Sequence, residues 1–98
     1  MKIPKVDHEL KKLIPKRNPD AAFRVIDGEA IVVLPDRGEV KVLNDVGSRI
    51  WELMDGESSV DQISQTICQE YEVKQKDALS DISDFLAQLS NNGMLAQK

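Results

Sequence analysis

The chain alternates apolar and polar positions with two periods, and the change from one to the other divides it. From Ala22 to Leu43 the period is two. Phe23 and Val25 flank Arg24, Ile31 and Val33 follow a turn, and Val40 and Val42 alternate with Glu39 and Lys41. Asp27-Gly28 is a two-residue signal for a type I′ hairpin turn, which needs positive φ at both positions. Pro35-Asp36-Arg37-Gly38 makes the second connection. The pattern predicts a three-stranded antiparallel meander, the last strand apolar on one face and charged on the other.

From Asn44 onward the period lengthens to that of a helix. Asn44 or Asp45 caps a first helix whose apolar stripe is Val46, Ile50, Leu53 and Met54, with Trp51 widening it. Trp51 is expected partly buried against the sheet, as a core residue or, alternatively, as a partner-facing anchor. Gly47, one turn in, costs about 1 kcal/mol relative to Ala and predicts close approach of another backbone. Gly56 stops this helix. Ser59 and Gln62 form a capping box for a second helix with Val60, Ile63, Ile67 and Tyr71 on its apolar face. A third helix, from about Lys76 to Asn92, carries Ala78, Leu79, Ile82, Phe85, Leu86 and Leu89 and ends at Gly93. The expected fold class is α+β: winged-helix-like, a three-stranded antiparallel β-meander followed by three α-helices, occupying residues 22–98. Residues 1–21, rich in Lys and Pro, read as a basic, weakly structured N-terminal arm in which Pro15 ends any short helical turn.

Length and charge narrow the function. Ninety-eight residues make one domain with a small core and little room for a deep catalytic cavity. Lys2, Lys5, Lys11, Lys12, Lys16, Arg17 and Arg24 against Asp7, Glu9 and Asp20 give residues 1–24 a net charge of +4. The whole chain carries −4, so the remainder carries −8. That balance disfavours nucleic acid and anionic membrane as partners. No secretory signal or membrane-spanning run is visible, and the single Cys68 excludes a disulfide framework, so a reducing cytoplasm is expected.

The chain offers no catalytic or metal-binding constellation. His8 is the only histidine and lies in the basic arm. Cys68 reads as a small half-buried hydrophobe, and the five glycines form no phosphate loop. Asp77, Asp81 and Asp84 read as a solvated helix face, and no cofactor or metal is expected. A winged-helix DNA-binding transcriptional regulator is the competing reading of the element order. Against it, the third helix has no Lys or Arg from Asp77 through Gln97, and the second has none between Val60 and Glu72. Counterion release, which dominates DNA affinity, needs several cations on one face. An extended peptide added to a sheet edge suits this surface better, and the strand Glu39–Leu43 is the expected edge.

The segments 17–33 (RNPDAAFRVIDGEAIVV), 42–56 (VLNDVGSRIWELMDG), 59–73 (SVDQISQTICQEYEV) and 81–95 (DISDFLAQLSNNGML) carry a family resemblance. Over about three quarters of its length the chain resembles the pyrroloquinoline quinone synthesis protein D (PqqD) family. That family is the prototype of the recognition elements of ribosomal peptide natural-product pathways. The resemblance implies a non-catalytic adaptor, monomeric or weakly dimeric, that binds a precursor's leader peptide as an added strand and presents it to a modifying enzyme, often a radical S-adenosylmethionine (SAM) protein. Carried over by position, it places peptide contacts on Glu39, Val40, Lys41, Val42 and Leu43, and on Leu79, Ile82, Ser83 and Leu86, with Asp81 at the rim.

Overall fold

The computed structural model describes residues 8–34 and 36–96. The elements run α1 (His8–Lys12), β1 (Ala22–Ile26), β2 (Glu29–Leu34), β3 (Glu39–Val42), α2 (Asp45–Leu53), α3 (Val60–Tyr71) and α4 (Gln75–Asn91). The sheet has the order β1-β2-β3, antiparallel throughout. Asp27 and Gly28 both have positive φ, 52° and 81°, as the I′ turn demands, and the turn sets Ile26 opposite Glu29.

That register decides which strand face meets the helices. Ala30, Val32 and Leu34 point inward and are buried. Ile31 and Val33, one residue out of phase, lie on the outer face, where Val33 is well exposed. Pairing carries the phase across to β3. Glu39, Lys41 and Leu43 face the helices, half-buried, whereas Val40 and Val42 point to solvent, each 61% exposed. The apolar face expected of β3 is therefore its outer face.

Trp51 is completely buried. It meets Phe23 of β1 edge-on, with ring centroids 5.6 Å apart, and shares the core with Ile50 and Met54, Ile63 and Ile67, and Ile82 and Leu86. Asn44 caps α2 by accepting from Gly47 N at 2.7 Å, and Ser59 with Gln62 forms the expected capping box on α3.

The segment expected to be a loose arm is tied down from residue 8 on. Leu10 of α1 is fully buried in the core. The stretch after it is strapped to the body by backbone bonds: Val60 N to Leu13 O at 2.8 Å, Ala96 N to Lys16 O at 2.9 Å, and Asn18 N to Met94 O at 2.9 Å. Arg17 donates to Trp51 O and Glu52 O, at 2.8 and 3.0 Å, and its guanidinium lies 5.0 Å from the centre of the Phe23 ring. A cation at the C-terminal carbonyls of α2 complements the helix dipole. The prolines end α1 without freeing the chain, because an extended strap satisfies its backbone groups on neighbouring segments. Residues 1–7 of the expected arm lie outside the described residues.

Candidate functional site

Among the described residues β3 pairs with β2 along one side only, and its hydrogen-bonding phase can be read from its last bond. Leu43 N donates to Ala30 O at 2.9 Å, so that pair is of the hydrogen-bonded kind. In an antiparallel ladder such pairs alternate with pairs whose N–H and C=O point away from each other. Lys41 opposite Val32 and Glu39 opposite Leu34 thus bond inward to β2. Val40 and Val42, opposite Val33 and Ile31, turn their N–H and C=O groups to the open edge. Two residues of β3 therefore offer two donors and two acceptors to an incoming strand.

The return half of the Ala30–Leu43 pair is unusual. Ala30 N donates to Ser48 Oγ at 2.7 Å, and that hydroxyl donates to Leu43 O at 3.1 Å. Ser48, buried on α2, thus splices its hydroxyl into the ladder. One side chain fixes the end of β3 to the start of α2, and it leaves no buried polar group of that pair unmet.

α4 approaches the segments that flank β3 at both ends. Near its C-terminal end, Gly93 lies close to the guanidinium of Arg37, in the β2–β3 connection; nearer its middle, Phe85 reaches Gly47 and Asn44, just past β3. Between the first turns of α2 and the middle of α4, just past the end of β3, opens a cavity of about 360 Å³ lined by Asn44, Val46, Gly47, Ile50, Asp81, Asp84, Phe85 and Gln88. Gly47 is small for the benefit of Phe85. A Cβ there would stand 3.2 Å from Phe85 Cε1 and 2.9 Å from the capping Asn44 Oδ1. The close neighbours are side chains, where sequence reasoning expected a backbone.

Of the helix residues that the resemblance implicates, Leu79, Ile82 and Leu86 are 4%, 0% and 0% exposed and pack in the core of the peptide-free chain. Ser83 is half-buried. Asp81 is exposed and does line the cavity, joined by Asp84, Phe85 and Gln88 one and two turns on. These four recur at i, i+3, i+4 and i+7, a stripe beside the buried one, and that offset is the signal that could have found them. On β3, Glu39 and Lys41 pair with each other at 3.2 Å on the helix-facing side. Among the described residues, no group of three or more His, Cys, Asp or Glu is placed to hold a metal ion, and no helix is long and apolar enough to cross a membrane.

An open β-edge with a helix and a cavity near its end is a geometry that can take up an extended segment. Comparison with known proteins gives the family. The family model described as "Coenzyme PQQ synthesis protein D (PqqD)" matches residues 29–95, and the chain belongs to this family. Among solved structures, TbiB1 in complex with the TbiA(beta) leader peptide matches with a TM-score of 0.78 and 31% identity, over 85% of this chain and 96% of that one. A lasso peptide synthetase B1 complexed with its leader peptide matches with a TM-score of 0.73 and 30% identity, over 87% and 100%. The PqqD truncation of Methylobacterium extorquens PqqCD, a stand-alone RiPP recognition element, shares the fold with a TM-score of 0.71 and 24% identity, over 85% and 88%. No curated protein matches the sequence. None of these relatives supports the DNA-binding alternative, and the outward stripe of α4 is acidic.

Proposed function

We propose that this chain is a non-catalytic adaptor that binds the leader segment of a ribosomally made precursor peptide along the open edge of β3. It then presents the rest of the precursor to a modifying enzyme, a radical SAM protein being the class the family resemblance suggests. The observation that carries the reading is the outward turn of the Val40 and Val42 backbone groups beside the α4 cleft. Kinship with two proteins solved with leader peptides bound supports it. Backbone bonds to Val40 and Val42 supply affinity that does not depend on sequence, and the cleft supplies the choice among peptides.

Calorimetric titration with leader peptides of the precursors encoded beside its gene tests the proposal. Val42→Pro removes an outward N–H without touching the β2–β3 ladder and is expected to abolish binding while leaving the fold intact. Lys41→Pro, which removes an inward N–H, is expected to destabilise the sheet itself. Failure of every neighbouring leader to bind, or equal binding by Val42→Pro, would sink the assignment.

A further inference from the structure

The cavity beside Asn44 has a composition that the edge strand alone does not require. Phe85, Val46 and Ile50 make an apolar part of its wall, beside the polar Asn44 and Gln88. Its rim carries Asp81 and Asp84, neither of which has an ion pair or hydrogen bond among the described residues. No cation lines it. α4 has no Lys or Arg beyond Lys76, and on the helix-facing side of β3 Lys41 is engaged by Glu39 at 3.2 Å. A cavity with a partly apolar wall and an unbalanced negative rim matches a side chain with an apolar stem and a cationic tip.

The register says which peptide residue reaches it. A residue opposite Val42 in an added strand lies on the outer face with the Val42 side chain, because directly opposed residues share a face. Its neighbour opposite Leu43 turns to the helix side, where Asn44, Gly47 and Phe85 open the cavity. We infer that this cavity is a specificity pocket for one Arg or Lys of the bound peptide, at the strand position facing Leu43. The inference rests on the strand-addition reading proposed above and gives that site a substrate chemistry. The basic head meets Asp81 and Asp84, and its stem packs on Phe85.

The test selects binders from a display library of random 12-residue peptides against the full chain, then measures chosen peptides by calorimetry. The expected result is an Arg or Lys enriched at a single position. Replacing it with Gln should weaken binding about tenfold, the scale of one charge-assisted hydrogen bond. Moving the basic residue by one position turns it to the outer face and should forfeit the gain. Asp81→Asn combined with Asp84→Asn, both exposed positions whose change leaves the core untouched, should bind the Arg and Gln peptides alike. Selected peptides with no basic position, or with an uncharged aromatic there instead, overturn the inference while strand addition stands. So does a basic preference that survives the double substitution or tolerates the one-position shift. Strand addition itself fails, and the pocket with it, if no peptide is enriched or if the enriched peptides bind Val42→Pro as well as the unmodified chain.

Discussion

Gly47→Ala sets two opposing effects against each other at one atom. In an open helix the change stabilises by up to about 1 kcal/mol, because alanine loses less backbone freedom on folding. Here the new Cβ would lie 2.9 Å from Asn44 Oδ1 and 3.2 Å from Phe85 Cε1. The first distance is too short to persist, so the Asn44 side chain must move. It is not free to do so without loss, since Oδ1 accepts the Gly47 N–H at 2.7 Å and forms the cap of α2. A cap of this kind is worth about 1 kcal/mol. The ring must also give way by a few tenths of an ångström, and overpacking of this sort costs about 1–3 kcal/mol. The balance is a net loss of about 1–3 kcal/mol, which for a domain of this size lowers Tm by roughly 4–24 °C. Urea denaturation measures it directly. Repeating the substitution in a Phe85→Leu background isolates the ring's share as a coupling energy, expected at about 0.5–1 kcal/mol because the two residues touch. A Gly47→Ala variant more stable than the parent by about 1 kcal/mol would refute the packing argument.

Other outcomes follow from the same geometry. Trp51→Ala should cost about 3–5 kcal/mol in chemical denaturation, since the side chain is fully buried against Phe23 and the core. Trp51→Phe should cost much less, because the indole Nε1 has no hydrogen-bond partner among the described residues; a Trp51→Ala protein with an unchanged melting curve would place Trp51 outside the core. Ser48→Ala leaves the buried Ala30 N–H without its acceptor and should destabilise by about 1–3 kcal/mol, with amide exchange speeding up first at Ala30; unchanged exchange there would mean that the hydroxyl bridge is not formed. The Asp55 carboxylate accepts the backbone N–H groups of Glu57 and Ser58, which hold its pKa below the ordinary 3.8. A depressed carboxylate pKa stabilises the fold above the unfolded value and loses that contribution as pH falls through the folded one. Asp55→Asn should therefore flatten the acid limb of Tm against pH below about pH 4 and leave its slope near neutrality unchanged; an acid limb as steep as the parent's would argue against the turn.

Local chemistry was legible in the chain wherever a few neighbouring residues decide the conformation. The Asp27-Gly28 turn, the Asn44 cap, the Ser59–Gln62 capping box and the spacing of the three long helices all depend on contacts within a turn or two. Sequence alone therefore determined the element order and the kind of fold. The absence of Lys and Arg from Val60 to Glu72 and from Asp77 to Gln97 argued against DNA before any fold was known.

Three other things were decided only by tertiary structure. Ala30 to Leu34 is apolar on both faces, so alternation within it has no phase, and only pairing through the I′ turn and the bond from Leu43 to Ala30 selects Ala30, Val32 and Leu34 as inward. That choice propagates to β3, puts Val40 and Val42 outside, and determines which backbone groups meet an incoming strand. The apolar stripe of α4 has its neighbours set by packing as well. Leu79, Ile82 and Leu86 are claimed by the core, which leaves the adjacent stripe of Asp81, Asp84, Phe85 and Gln88 to form the cleft. The basic start looked untethered because its bonds are made to residues 34 to 80 positions away, from Arg17 to Trp51 and from Lys16 to Ala96. Pairings over such separations depend on where distant segments come to lie, which periodicity and local propensity do not encode.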